Sequence, residues 1–168
     1  MRYLVLALAA LTLSGCATAQ RYDAANDVHS LLVAIRDNDQ ATFDAHVDRP
    51  ALKRQIESRL TAEGRKAGGD SLGALSAILA PALANIAGDA LIQPRVFRSV
   101  ADYYGYDGSK PLPGALAIGS QLKPMGDGQV CATRKKDGPC LLVFTQTDGV
   151  WKLSGFDGDL SMLRTKGR

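Results

Sequence analysis

Five Asp-Gly dipeptides, at positions 107, 127, 137, 148 and 157, punctuate the C-terminal part of this 168-residue chain, and none precedes them. Asp-Gly readily adopts the positive φ angles of the tight turns that join antiparallel strands. The last four recur at intervals of ten, eleven and nine residues, room for one short strand between turns. The intervening segments 115–122, 129–134, 140–146 and 150–154 are predicted to be those strands.

Before Tyr106 the grammar is helical. Val28, Leu31, Leu32 and Ile35 fall at i, i+3, i+4 and i+7, with Asp27, Arg36 and Asp37 on the opposite face. Asp39 is a suitable N-cap for a short second helix carrying Phe43 and Val47. A third helix is predicted from Pro50, with a Leu52, Ile56, Leu60 stripe, ending at Gly64 and Gly68-Gly69. Residues 71–88 carry no charge. Leu72, Leu75, Leu79, Leu83 and Ile86 make a bulky stripe there, and Gly73, Ser76, Ala80, Ala84 and Ala87 a small one. The expectation is a kinked, mostly buried helix whose small side admits a close neighbour; membrane insertion competes, against Pro81 and Asn85. A last helix starts at Pro94 with Val96, Phe97 and Val100 inward. Helices followed by strands predict an α+β fold, N-terminal helices packed on a curved antiparallel sheet of about four strands, as a single domain over 26–163.

The N-terminus reads as an address. Met1-Arg2 precedes an apolar run over 3–13, which as a helix rises only about 16 Å, half a hydrocarbon core. The run closes on Leu13-Ser14-Gly15-Cys16, which resembles the lipobox of bacterial lipoproteins. That resemblance implies removal of residues 1–15, acylation of Cys16, and a short tether over 16–25. Ala17, where an Asp would signal inner-membrane retention, implies lipid anchoring on the periplasmic face of the outer membrane. The competing reading is cleavage after Ala19, which discards Cys16 and leaves a soluble periplasmic or secreted protein.

Charge and cysteine use narrow the chemistry. Twenty basic against 17 acidic residues give +3, too balanced for a nucleic-acid interface. Two His and three Cys offer few ligands for a metal site, and no cofactor is expected. Cys131 and Cys140 flank a turn signal at Lys135-Lys136-Asp137-Gly138 and are expected to form a hairpin disulfide outside the cytoplasm; two reduced thiols are the alternative. There is no Cys-x-x-Cys spacing for redox catalysis.

Gly69-Asp70-Ser71-Leu72-Gly73 has the form of a nucleophile elbow, yet polar, flexible residues rather than a buried strand precede it, and no His follows. Asp70 or Ser71 as a helix N-cap explains it more simply, and no catalytic residue is assigned. His29 reads as a helix-boundary residue. Asp44, His46 and Asp48 would suit an acid–base or metal site only if they converged, whereas i and i+2 on a helix point about 200° apart. Tyr103, Tyr104 and Tyr106, beside the loop Lys110-Pro111-Leu112-Pro113-Gly114, are candidate ligand-binding residues or plugs of the helix layer. Trp151 is core or the wall of a pocket with them. Arg134-Lys135-Lys136 at a hairpin tip could meet lipid headgroups or be a solvated turn.

Three stretches carry a family resemblance: 34–39 (Ala-Ile-Arg-Asp-Asn-Asp) with 47–52 (Val-Asp-Arg-Pro-Ala-Leu), 89–96 (Asp-Ala-Leu-Ile-Gln-Pro-Arg-Val), and Val143-Phe144 through Asp148-Gly149 to Val150-Trp151-Lys152-Leu153. They resemble the bacterial domain of unknown function 2939. The first and third are also similar to nuclear-transport-factor-2-like cone folds. Gln93 departs from the Thr that the family favours there. The resemblance implies helices over a curved sheet and brings no established catalytic residue. The reading is a lipid-anchored, non-catalytic envelope module that binds an envelope protein or small ligand. The alternative is a small pocket hydrolase or isomerase using Asp44, His46 or Asp48.

Overall fold

A computed structural model of the protein describes residues 2–103, 106–134 and 138–156; the side chains at 2–17, 67–77 and 103 lie outside that description. Helices α1 (Arg2–Asp37), α2 (Gln40–Ala45), α3 (Arg49–Leu91), α4 (Pro94–Tyr103) and α5 (Ala115–Gln121) precede strands β1 (Leu122–Gly126), β2 (Gln129–Thr133), β3 (Cys140–Thr147) and β4 (Val150–Phe156). The chain is α+β, as its periodicities predict. It divides into two compact units, Met1–Ser30 with Leu112–Arg168, and Leu31–Pro111.

In the first unit the strands pair in sequence order, β1-β2-β3-β4, all antiparallel, in an open and slightly curled sheet. Asp127-Gly128 and Asp148-Gly149 make the two-residue turns expected of them, with φ of 49° and 68° at the first and 53° and 79° at the second. Along β4 the alternate residues Trp151, Leu153 and Gly155 are buried, the period-2 signature of a sheet with one face inward. Val130 and Phe144, directly opposed across β2 and β3, continue that face. Ala24, Ala25 and Val28 of α1 and Ile118 of α5 are buried in the same unit. The two helices approach closely because Gly119 has no side chain: a Cβ there would lie 3.1 Å from the Tyr22 ring.

Segment 115–122 is a helix over Ala115–Gln121, not the strand expected. Ala and Leu outnumber its single β-branched residue, and Gly114 opens the helix with extended backbone. The sheet's first strand is instead β1, which contains Pro124. Among the described strands β1 pairs only with β2, and an edge tolerates a missing N–H.

In the second unit Asn38, at φ 55°, ends α1 in left-handed conformation, and the Asp39 N–H returns to the Ala34 carbonyl at 2.9 Å. Asp39 caps α2 through Ala41 N and Thr42 N. Asp48 caps α3 through Ala51 N, with Pro50 in the first turn. Phe43 meets Phe97 edge to face, ring centroids 5.3 Å apart.

Helical backbone runs unbroken over Arg49–Leu91, so the predicted ending at Gly64 and Gly68-Gly69, and an N-cap at Asp70 or Ser71, are both corrected. The run nevertheless reverses direction. Thirty-six residues of straight helix span about 54 Å, yet Lys53 Nζ lies 2.7 Å from Asp89 Oδ1. Residues 49–66 and 78–91, which that contact brings side by side, are called the first and second arms of α3. Of the expected small stripe Ala80 and Ala84 are buried and Ala87 is half-buried, while Gly73 and Ser76, like Leu72 and Leu75 of the bulky stripe, lie outside the described side chains; Gly88 is also buried, with Lys53 against it. The bulky side is not. Leu79, Leu83 and Ile86 are 47%, 51% and 70% exposed, which corrects the expectation of a mostly buried helix.

Candidate functional site

Trp151 is core, 1% exposed. Its indole N–H donates to Asp23 Oδ2 at 2.8 Å and its backbone N–H to Asp27 Oδ2 at 2.8 Å. Asp23 also accepts from Gln146 Nε2 at 3.2 Å. The two acidic residues on α1, four apart and hence on one face, therefore hold the last strand. This use of Asp23 was not read from the sequence; an i, i+4 carboxylate pair beside a buried alanine stripe was the signal.

Of the tyrosine cluster, Tyr104 and the Tyr103 side chain lie outside the described residues. Tyr106 is half-buried and its hydroxyl is buried without a hydrogen-bond partner. Around it, Arg36 makes a two-pronged pair with Asp37, at 2.7 and 2.9 Å, and Arg98 Nη1 donates to the Arg36 carbonyl at 2.6 Å. The Arg36 hydrogen bond holds the Asp37 carboxyl below its usual range, and Asp37 raises the guanidinium in turn.

Asp44, His46 and Asp48 are each engaged in building the helix junction. Asp44 accepts from Arg49 and from Gln40, the His46 Nδ1–H donates to the Thr42 carbonyl at 2.8 Å, and Asp48 caps α3. His29 Nδ1 donates to the Pro113 carbonyl at 3.0 Å, within the first unit, as a boundary histidine would. Among the described residues no three His, Cys, Asp or Glu side chains gather as a metal site. Ser71 sits in helical backbone on both sides, not on the strand-to-helix turn of a nucleophile elbow. Its side chain, like that of Cys16 and the residues Lys135 and Lys136, lies outside the description; Arg134 is exposed. Cys131 and Cys140 form the expected disulfide, Cα atoms 5.6 Å apart.

Among the described residues, two hollows lie along α3. Arg49, Lys53, Arg54 and Glu57 on its first arm and Pro81 and Asn85 on its second enclose about 370 Å³. A neighbouring hollow of about 490 Å³ is lined by Arg54, Glu57, Thr61 and Arg65. Basic side chains outnumber acidic ones in both, and Lys53 and Arg49 are steadied by Asp89 and Asp44. Such hollows suit an anionic group. Both compositions are plain in the sequence, but only the reversal inside α3 brings the arms together.

Among the described residues, no helix is long and apolar enough to cross a membrane. Residues 6–100 match a family described as protein of unknown function (DUF2939). No curated protein and no solved structure matches the chain.

Proposed function

Because the chain belongs to the DUF2939 family of proteins of unknown function, we propose a role from its own residues: a non-catalytic envelope protein, acylated at Cys16 and carried on the periplasmic face of the outer membrane, whose folded part binds another envelope component. The observation that carries this reading is Leu13-Ser14-Gly15-Cys16 directly after an apolar run too short to span a bilayer. Three acyl chains on that cysteine hold a domain far more firmly than one. Two features support the reading. Among the described residues, the α1 side chains that build the core, from Ala24 onward, and the Asp23 and Asp27 contacts lie beyond Cys16, so removal of residues 1–15 takes none of them. The disulfide suits an oxidising compartment.

The test is palmitate labelling and membrane fractionation in a Gram-negative cell. The wild-type chain takes up label and sediments with membranes; Cys16→Ser loses both. Recovery of an unlabelled wild-type chain with residues 1–15 intact would overturn the reading.

A further inference from the structure

The second arm of α3 presents an apolar face to solvent. Leu79, Leu83 and Ile86 fall within about 60° of one another around the helix axis, turned away from the buried Ala80, Ala84 and Gly88 side. They are 47%, 51% and 70% exposed, and Ile78 beside them is 74% exposed. Four large aliphatic side chains open to water on an arm without one charge over 71–88 call for an apolar cover.

The first arm says what that cover is. Residues 49–66 hold six of the 20 basic residues (Arg49, Lys53, Arg54, Arg59, Arg65 and Lys66) and two of the 17 acidic ones, Glu57 and Glu63. The rest of the chain carries 14 basic against 15 acidic, so the entire net positive charge sits on this arm. The Lys53–Asp89 pair and the Gly88–Lys53 approach hold this cationic arm against the apolar one. A second copy docking on the stripe would bring two cationic arms together at a cost. A surface with negative headgroups above hydrocarbon complements both arms at once.

We propose that the two arms of α3 form a docking surface for an anionic phospholipid bilayer, with Leu79, Leu83 and Ile86 entering the headgroup–acyl boundary and Arg54 and Arg65 meeting headgroup phosphates. This contact is independent of Cys16. It gives the protein a second, reversible hold on a membrane, of the kind that turns a single tether into an oriented attachment.

The test uses the full chain carrying Cys16→Ser, so that no acyl chain contributes, in sedimentation with vesicles of phosphatidylcholine alone or mixed with phosphatidylglycerol. The expected result is stronger partition onto the anionic vesicles, weakened by salt. Leu79→Gln with Leu83→Gln and Ile86→Gln lowers partition on both vesicle types. Arg54→Gln with Arg65→Gln lowers it about tenfold or more on anionic vesicles alone. Both sets replace exposed side chains, and unchanged circular dichroism confirms the fold. Equal partition of the Cys16→Ser chain onto the two vesicle types, or partition untouched by either set, overturns the proposal. So does concentration-dependent self-association, without vesicles, that the leucine–isoleucine set abolishes, since a second copy then covers the stripe.

Discussion

Trp151 gives its indole N–H to Asp23, 128 residues earlier in the chain, at 2.8 Å. The tryptophan is 1% exposed, so the carboxylate satisfies a donor that water cannot reach. Asp23→Ala is expected to cost about 1–3 kcal/mol by stranding that donor, and Asp23→Asn, which keeps an acceptor, less than half as much. Urea unfolding followed by the emission of this single tryptophan measures both. An Asp23→Ala chain as stable as wild type would show that the bond contributes nothing.

The Cys131–Cys140 bridge, nine residues apart in sequence, closes a short loop between β2 and β3. Its removal by paired Ser substitution is expected to lower stability by about 2–3 kcal/mol, the unfolded-chain entropy regained by a loop of this length. Thermal unfolding with and without reductant checks this: wild type shifts on reduction and the double variant does not.

Acid should loosen the second unit at three carboxylates. Asp37 is held below its usual range by the Arg36 hydrogen bond, Asp39 by the Thr42 hydroxyl and N–H, and Asp107 by the Ser109 hydroxyl and N–H. A carboxyl lowered by folding stabilises the native state above its unfolded value, about 3.9, and that contribution drains away as pH falls through the lower folded value. Asp39→Asn keeps a capping oxygen but cannot titrate. Its melting temperature is therefore expected to fall less steeply than wild type below about pH 4, and parallel curves would remove Asp39 from the acid response.

Gly88 and Lys53 should be energetically coupled. A Cβ on Gly88 would stand 2.6 Å from Lys53 Cγ and 2.8 Å from its Cε. Gly88→Ala therefore displaces the lysine stem and, with it, the pair to Asp89. The substitution is expected to destabilise the wild-type background yet stabilise a Lys53→Ala background, where the gain in helix propensity is unopposed. The difference is about 1–3 kcal/mol. Additive effects would mean that the arms of α3 do not press on each other there.

Much of the architecture was written locally. The Asp127-Gly128 and Asp148-Gly149 turns, the strands they join, the Asp39 cap and the Pro94 start each depend on a few adjacent residues. What escaped depended on partners far along the chain. The Asp-Gly spacing predicts a strand over 115–122, although Ala-Leu-Ala favours a helix once Gly114 starts one. β1 carries Pro124 and is permissible only at an edge, which no local pattern announces. At the candidate site, the engagement of Asp23 and the exposure of Leu79, Leu83 and Ile86 follow from which helix faces which neighbour, and hydrophobic spacing gives the stripe without giving its partner.

The first unit is closed by two stretches from opposite ends of the polypeptide, Met1–Ser30 and Leu112–Arg168. The earlier stretch is synthesised first and the tryptophan it engages near the end, so the Asp23–Trp151 bond, and with it the core of the first unit, waits until nearly the whole chain has been made.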